Sequence, residues 1–142
     1  MSQTSAETRS VIVEREFPYP PEELWRALTQ PHLIREWLMK ADFKPVRGHR
    51  FDFRADWGDV DCEVLEVEPN KTLSYTWNVV RDDPAGDLKS VVTWTLRATS
   101  NGTLLRMEQS GFRSDQPRYY GGARMGWQQF FTKLEQVLAR PD

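Results

Sequence analysis

Between Gly48 and Gln109 the sequence alternates apolar and polar residues with a period of two, and turn-forming residues interrupt the alternation at short intervals. Such a pattern is typical of antiparallel strands that have one buried and one hydrated face. The alternation is cleanest from Thr72 to Val80, where the inward positions are Leu73, Tyr75, Trp77 and Val79. This part of the chain therefore predicts an antiparallel meander.

The sequence predicts six strands in all. They are Val11–Phe17, Arg50–Arg54, Val60–Glu68, Thr72–Val80, a strand around Val92–Leu96 and a strand around Leu105–Glu108. A bulge near Leu65 is needed to bring Val67 onto the same face as Val64. Asn101-Gly102 is a strong hairpin signal between the last two strands. The segment from Ser110 to Arg118 is expected to be a loop.

Helical spacing appears in two places. After the first strand, Pro20-Pro21 and Glu22-Glu23 favour a helix start, and a second short helix is expected over His32–Leu38. From about Tyr119 the period is again helical, with apolar residues at Ala123, Trp127, Phe130, Leu134 and Val137. This last helix is the only predicted element long enough to cover the apolar face of the sheet. A twisted sheet under one helix leaves volume between them, so we expect an internal cavity.

Length and charge exclude several classes of protein. The 142 residues predict a tail over residues 1–10, which we expect to be disordered, and one domain over residues 11–140. A net charge of -2, from 19 basic and 21 acidic residues, does not favour nucleic-acid binding. No signal peptide or membrane span is visible, which predicts a cytoplasmic protein. One cysteine and two histidines predict no disulfide, no metal site and no cofactor.

Several motifs resemble those of one superfamily. They are Phe17-Pro-Tyr-Pro-Pro-Glu-Glu-Leu-Trp-Arg-Ala-Leu-Thr-Gln-Pro31, Trp37, Gly48-x-x-Phe-x-Phe53, Val67-Glu-Pro69, Leu73-x-Tyr-x-Trp77, Gly102-Thr103, Ser110-Gly-Phe112 and Gly126-Trp127. In this order, over about residues 11 to 139, they resemble the START-like, or SRPBCC, superfamily, and within it the branch named after the activator of heat-shock protein 90 ATPase.

The resemblance implies an α+β helix-grip fold of the START-like, Bet v type. In this fold a curved antiparallel sheet, here of six predicted strands, wraps around the long C-terminal helix. Relatives in the superfamily hold lipids, sterols, polyketides or other apolar molecules between sheet and helix, whereas others are enzymes or co-chaperone domains. The fold by itself therefore leaves the function open.

Aromatic residues make up 12% of the chain, and many of them fall on predicted inward positions. Such side chains either fill a core or line a ligand cavity, because they combine large apolar faces with, in Trp and Tyr, one polar group. The candidate ligand-binding residues are Trp37, Phe51, Phe53, Cys62, Tyr75, Trp77, Trp94, Met107, Gln109, Tyr119, Tyr120, Trp127 and Phe130. Their expected partner is a small hydrophobic or aromatic molecule.

Gln109 is the most informative polar candidate. Its amide falls on the inward face with Leu105 and Met107, where it needs a hydrogen-bond partner in the protein or in a ligand. Tyr119 and Tyr120 are candidate gates, since they stand at the start of the long helix beside two glycines. Cys62 is expected to be buried and chemically inert.

Two other functions remain open. An aromatase-, cyclase- or hydratase-like enzyme would use the same pocket, with Gln109, Arg15 and the tyrosines polarising an intermediate. No catalytic residue is assigned, because His32 and His49 have no neighbour that indicates a triad. A co-chaperone-like domain would instead bind protein through an exposed apolar patch. The sequence does not fix the oligomeric state, and a homodimer is an open alternative.

Overall fold

The computed structural model describes residues 8–56, 58–82 and 86–140. Its seven strands are β1 (Thr8–Phe17), β2 (Lys40–Ala41), β3 (Arg50–Ala55), β4 (Gly58–Glu68), β5 (Thr72–Val79), β6 (Leu88–Thr99) and β7 (Gly102–Arg113). Its three helices are α1 (Pro21–Thr29), α2 (Pro31–Trp37) and α3 (Pro117–Ala139). The predicted order of strand, two short helices, meander and long helix is confirmed.

All seven strands form one antiparallel sheet in the order β1-β7-β6-β5-β4-β3-β2. The sheet is open, with β1 and β2 at its edges. Strands β5 to β7 bury alternate residues, so one face of the sheet supplies the core and the other faces water. Helix α3 packs against this face and contacts β1, β7 and both short helices. The architecture is the predicted α+β helix-grip fold.

The strand count differs from the six predicted. The strand that was not predicted is β2, which has only two residues and pairs with Phe53 and Arg54 of β3. A strand this short has no readable alternation, so the sequence pattern could not reveal it. The predicted bulge near Leu65 is confirmed, because the β4–β5 register shifts between Val64 and Glu66.

The end of β7 corrects a second expectation. Ser110–Arg113, predicted as the start of a loop, continues the strand because β1 begins at Thr8 and pairs with it. Gly111 makes this continuation possible. Its φ is +111°, and a Cβ there would lie 2.6 Å from the Lys89 carbonyl oxygen. Of the predicted disordered tail, residues 1–7 lie outside the described residues, and Thr8–Ser10 are part of β1.

The helices pack with their apolar sides toward the sheet. Prolines begin both short helices, and the indole of Trp37 donates to the Ala27 carbonyl oxygen at 2.9 Å, which joins α2 to α1. The buried stripe of α3 is Trp127, Phe131, Leu134 and Val137. Phe131 therefore occupies the core position predicted for Phe130, which is only half-buried. Phe130 and Phe131 both follow Trp127 by about one turn, and Phe130 is the one that lines the cavity described next.

No helix among the described residues combines the length and the apolarity that a membrane crossing requires. Within the same residues, every buried side-chain nitrogen or oxygen has a hydrogen-bond partner. The interior is therefore stabilised by apolar packing, and its buried polar side chains are hydrogen-bonded.

Candidate functional site

A cavity of about 340 Å³ lies between the sheet and the first half of α3. The sheet contributes Trp77 and Val79 of β5 and Gln109 of β7, and α3 contributes residues between Arg118 and Phe130. Because Arg118 and Gly122 are exposed, the cavity opens to solvent near the start of α3. Its wall is mainly apolar and aromatic.

Aromatic rings form one side of the cavity. The ring centroid of Trp127 lies 5.3 Å from that of Trp77 on the sheet and 5.3 Å from that of Phe130 on the next turn of α3. Tilted and edge-on contacts at this distance are favourable for aromatic pairs. Helix and sheet thus meet through Trp127, and the cavity lies beside this contact.

A series of hydrogen bonds holds the side-chain amide of Gln109 in the cavity wall. The Trp127 indole donates to Gln109 Oε1 at 2.7 Å, and Gln109 Nε2 donates to Ser90 Oγ at 3.0 Å. The Ser90 hydroxyl in turn donates to the Trp77 carbonyl oxygen at 2.6 Å. Gln109 is 2% exposed, so these bonds satisfy an amide that would otherwise be costly to bury. They also fix its orientation relative to both aromatic residues.

Five of the predicted site residues line this cavity: Trp77, Gln109, Tyr119, Trp127 and Phe130. The other eight do not line it: Trp37, Phe51, Phe53, Cys62, Tyr75, Trp94, Met107 and Tyr120. Seven of these eight are buried in the core cluster. The physical reason is that the sheet face is longer than the cavity, and much of it packs directly against the helices.

Two aromatic groups account for most of the core candidates. Trp94 packs between Trp37 and Trp127, with centroid distances of 5.7 and 5.6 Å. Phe51, Phe53 and Tyr75 form a second group, with centroids 5.2 to 5.8 Å apart. Burial raises the pKa of the Tyr75 hydroxyl well above its usual value, and Trp94 donates to that hydroxyl at 2.9 Å.

The two tyrosines at the start of α3 have different surroundings. Tyr119 lines the cavity, and its hydroxyl donates to the Gly86 carbonyl oxygen at 2.6 Å. Tyr120 points toward the sheet edge, where its ring centroid lies 4.1 Å from the Arg9 guanidinium carbon and its ring meets that of Phe112. Of the two candidate gates, the structure therefore brings Tyr119 to the cavity.

Arg15, considered for the enzyme alternative, lies at the other end of the core. It pairs with Glu135 at 3.6 Å and stands 5.6 Å from the ring centroid of Phe131. It does not line the cavity. Among the described lining residues there is also no carboxylate, histidine or cysteine, and no group of such residues in the described chain could hold a metal ion.

Nine lining residues were not among the candidates. They are Met39, Val79, Arg81, Leu88, Phe112, Arg118, Gly122, Ala123 and Gly126. Helical spacing from Tyr119 would have found Gly122, Ala123 and Gly126, because positions three, four and seven residues on share its face. Val79 follows from the alternation in β5. Arg81 and Arg118 lie outside any apolar period, and no pattern in the sequence indicated them.

Cys62 lies on β4, is 5% exposed and does not line the cavity. Burial raises the pKa of its thiol well above the usual value, which leaves little thiolate at neutral pH. We therefore expect native protein to react with 5,5′-dithiobis(2-nitrobenzoate) at least about 100-fold more slowly than denatured protein. A Val80→Cys variant in a Cys62→Ala background is the control, because Val80 is 71% exposed. Equal labelling rates for native wild type and for this control variant would contradict the expectation.

The described architecture has counterparts in known proteins. A family model described as Activator of Hsp90 ATPase homolog 1-like protein matches residues 18–139. The chain belongs to this family. Comparison with curated proteins gives no match.

Solved structures of the same fold agree with this assignment. Protein MLL2253 from Mesorhizobium loti is 71% identical, with a TM-score of 0.91 over 94% of this chain and 99% of that chain. CalU16 from Micromonospora echinospora is 23% identical, with a TM-score of 0.78 over 98% of this chain and 82% of that one. The Aha1 dimer from Colwellia psychrerythraea is 20% identical, with a TM-score of 0.79 over 92% of this chain and 96% of that one. The last two show likeness of fold alone.

Proposed function

We propose that this protein binds a small hydrophobic or aromatic molecule in the cavity between β5, β7 and α3. The observation that carries the proposal is the cavity itself, which measures about 340 Å³, has a largely apolar wall and opens to solvent. Ligand sites in proteins typically occupy about 300 to 1,000 Å³ and combine such walls with a few placed polar groups. The volume is at the small end of that range, which suits a ligand of about one or two rings.

The glycines of α3 support the same proposal. A Cβ at Gly122 or Gly126 would meet no atom within 4 Å, so neither residue is required by packing against the protein. Each costs the helix about 1 kcal/mol relative to alanine. Both line the cavity, where the missing side chains enlarge the space available to a ligand.

Gln109 supplies one polar contact for such a ligand. A glutamine amide has two N–H donors and two acceptor lone pairs. The bonds with Ser90 and Trp127 use one of each. The remaining N–H and lone pair are available to a hydroxyl, carbonyl or ring nitrogen that enters the cavity.

The cavity favours binding over the two other functions. Of the polar groups considered for an enzyme, Arg15 does not line the cavity, and Gln109 and Tyr119 line it but are held by hydrogen bonds within the protein. A protein-binding function would need a continuous apolar patch. The large apolar side chains that are exposed, among the described residues, stand on separate elements: Ile12, Val46, Leu65, Val80 and Met125.

Binding is tested with N-phenyl-1-naphthylamine, a neutral probe that fluoresces in apolar surroundings. We expect saturable binding at one site per chain, with energy transfer from the tryptophans of the protein, of which Trp77 and Trp127 line the cavity. Gly126→Leu should weaken the probe's affinity at least about tenfold, because the new side chain occupies the cavity. The measurement is a fluorescence titration of wild type and variants.

Gly121→Leu is the matched control. Gly121 is on the same helix and also has no atom within 4 Å of an added Cβ, but it does not line the cavity. Both variants gain helix propensity and should remain folded by circular dichroism. Failure of wild type to bind the probe, or equal affinity of Gly126→Leu and Gly121→Leu, would overturn the proposal.

Assembly and location remain proposals as well. The dimeric solution structure of the Colwellia relative supports a homodimer, which sedimentation equilibrium of the purified chain would detect. We also propose a cytoplasmic location, which cell fractionation tests.

A further inference from the structure

The charge of the cavity wall is one-sided. Two described lining residues are charged, Arg81 and Arg118, and both are cationic. Arg118 is exposed on the first turn of α3, and Arg81 is half-buried just beyond the end of β5. They come from two distant parts of the chain and line the same cavity. The deeper wall, with Trp77, Trp127 and Gln109, carries no formal charge.

Guanidinium groups at the mouth of an apolar cavity favour a particular kind of ligand. Each guanidinium presents five N–H donors in a planar fork that matches the two oxygens of a carboxylate. Because donors outnumber the partners that one side chain can provide, an internal contact of Arg81 does not prevent it from also binding an anion. Arg81 is half-buried, which strengthens its attraction for an anion relative to a fully hydrated guanidinium.

Two of the described acidic residues, Asp82 and Asp87, lie between β5 and β6, in the same segment as Arg81. Asp87 Oδ1 accepts a hydrogen bond from the backbone N–H of Arg81 at 2.9 Å, and the Asp87 carbonyl oxygen accepts one from Gln116 Nε2 at 2.8 Å. The Asp87 carboxylate therefore binds the backbone of the loop that carries Arg81. Asp82 is exposed in the same loop. Neither carboxylate lines the cavity.

We propose that the ligand is an amphipathic organic anion, whose ring system lies against Trp77 and Trp127 and whose acid group is bound by Arg118 and Arg81 at the mouth. The inference rests on the proposed function and adds the chemical class of the ligand. Gln109 then contacts the buried body of the ligand, and the arginines contact its charged end.

The test compares 2-naphthoate with 2-naphthamide, which have the same ring system and differ in charge. Isothermal titration at pH 7 should give the acid an affinity at least about tenfold higher than the amide, because charge-assisted hydrogen bonds are the stronger kind. Arg118→Gln should lower the acid's affinity at least about fivefold more than the amide's and so remove most of this difference. 2-Naphthalenesulfonate, a second anion, should also bind more tightly than the amide.

Arg124→Gln is the matched control. Arg124 is on the same helix, is exposed and faces the ring of Tyr120, and it does not line the cavity. The Arg124→Gln variant removes the same charge as Arg118→Gln but at a position outside the cavity. It should therefore leave the preference for the acid intact. Loss of the preference in both variants would overturn the inference, because only the overall charge would then matter.

The remaining outcomes separate the two proposals. Equal affinity of wild type for 2-naphthoate and 2-naphthamide would overturn the anionic ligand and leave the cavity as an apolar binding site. A preference for the acid that survives both Arg118→Gln and Arg81→Gln would also overturn it. If neither naphthalene compound nor the neutral probe bound, the proposed function and the inference would fail together.

Discussion

Trp94→Ala is expected to destabilise the folded protein by about 3 to 5 kcal/mol. Trp94 is 0% exposed, and its ring contacts those of Trp37, Trp127 and Phe131 at centroid distances of 5.6 to 5.8 Å. These rings come from α2 and α3, so removal of Trp94 leaves a cavity at the point where both helices meet the sheet. The buried Tyr75 hydroxyl also loses its indole donor.

Urea denaturation followed by circular dichroism measures this loss for each variant. Trp94→Phe is the control, because it retains an aromatic ring and removes the indole N–H. We expect it to cost about 1 to 2 kcal/mol. A loss below about 1 kcal/mol for Trp94→Ala would mean that the surrounding rings collapse into the space, and the packing described for this core would then be wrong.

Gln109→Glu is expected to make stability strongly dependent on pH. At low pH the neutral acid has one O–H donor and acceptor oxygens, so it can replace both hydrogen bonds of the amide to Ser90 and Trp127. When ionised, the carboxylate is buried at a position that is 2% exposed in wild type. Burial raises the pKa of such a group by up to about 3 to 5 units.

The direction of the effect follows from the two states of the chain. In the unfolded variant the introduced carboxyl group ionises near its ordinary pKa of about 4.3. Since its pKa is higher in the folded chain, stability is retained below about pH 4 and falls as the pH rises. Arg81 and Arg118 line the same cavity and offset part of the penalty, so we expect a shift of about 3 units, or roughly 4 kcal/mol lost by about pH 8.

Denaturation of wild type and Gln109→Glu at matched pH values between about 4 and 8 isolates this contribution. Gln109→Leu is the control, because it removes the same hydrogen bonds without adding a titratable group. It should cost about 1 to 3 kcal/mol at every pH. If the stability difference between Gln109→Glu and wild type did not change with pH, residue 109 would be hydrated. The buried hydrogen bonds described for Gln109 would then be wrong.

Much of the fold was readable from local patterns. The period-two alternation from β3 to β7 predicted which residues face inward, because in a strand successive side chains point to opposite sides. The bulge in β4 was readable for the same reason, since the apolar residues change phase near Leu65. The two-residue strand β2 and the extension of β7 were not readable, because each depends on a pairing partner distant in sequence.

The candidate site was less readable than the fold. The sequence placed Trp77, Gln109 and Trp94 on one inward face, and in the structure they share it. Inward position does not distinguish a residue that packs against another side chain from one that borders empty space. Trp94 meets Trp37 of α2, whereas Trp77 and Gln109 border the cavity beside the first half of α3.

By itself the sequence determined the order of the longer elements, the inward face of the sheet and most of the apolar stripe of the last helix. These properties depend on neighbours along the chain, and the chain encodes them as a period. Only the tertiary structure decided where the sheet and α3 separate and which side chains, Arg81 and Arg118 among them, line the resulting space. That outcome depends on sheet twist and helix position, which are set by packing among residues far apart in sequence.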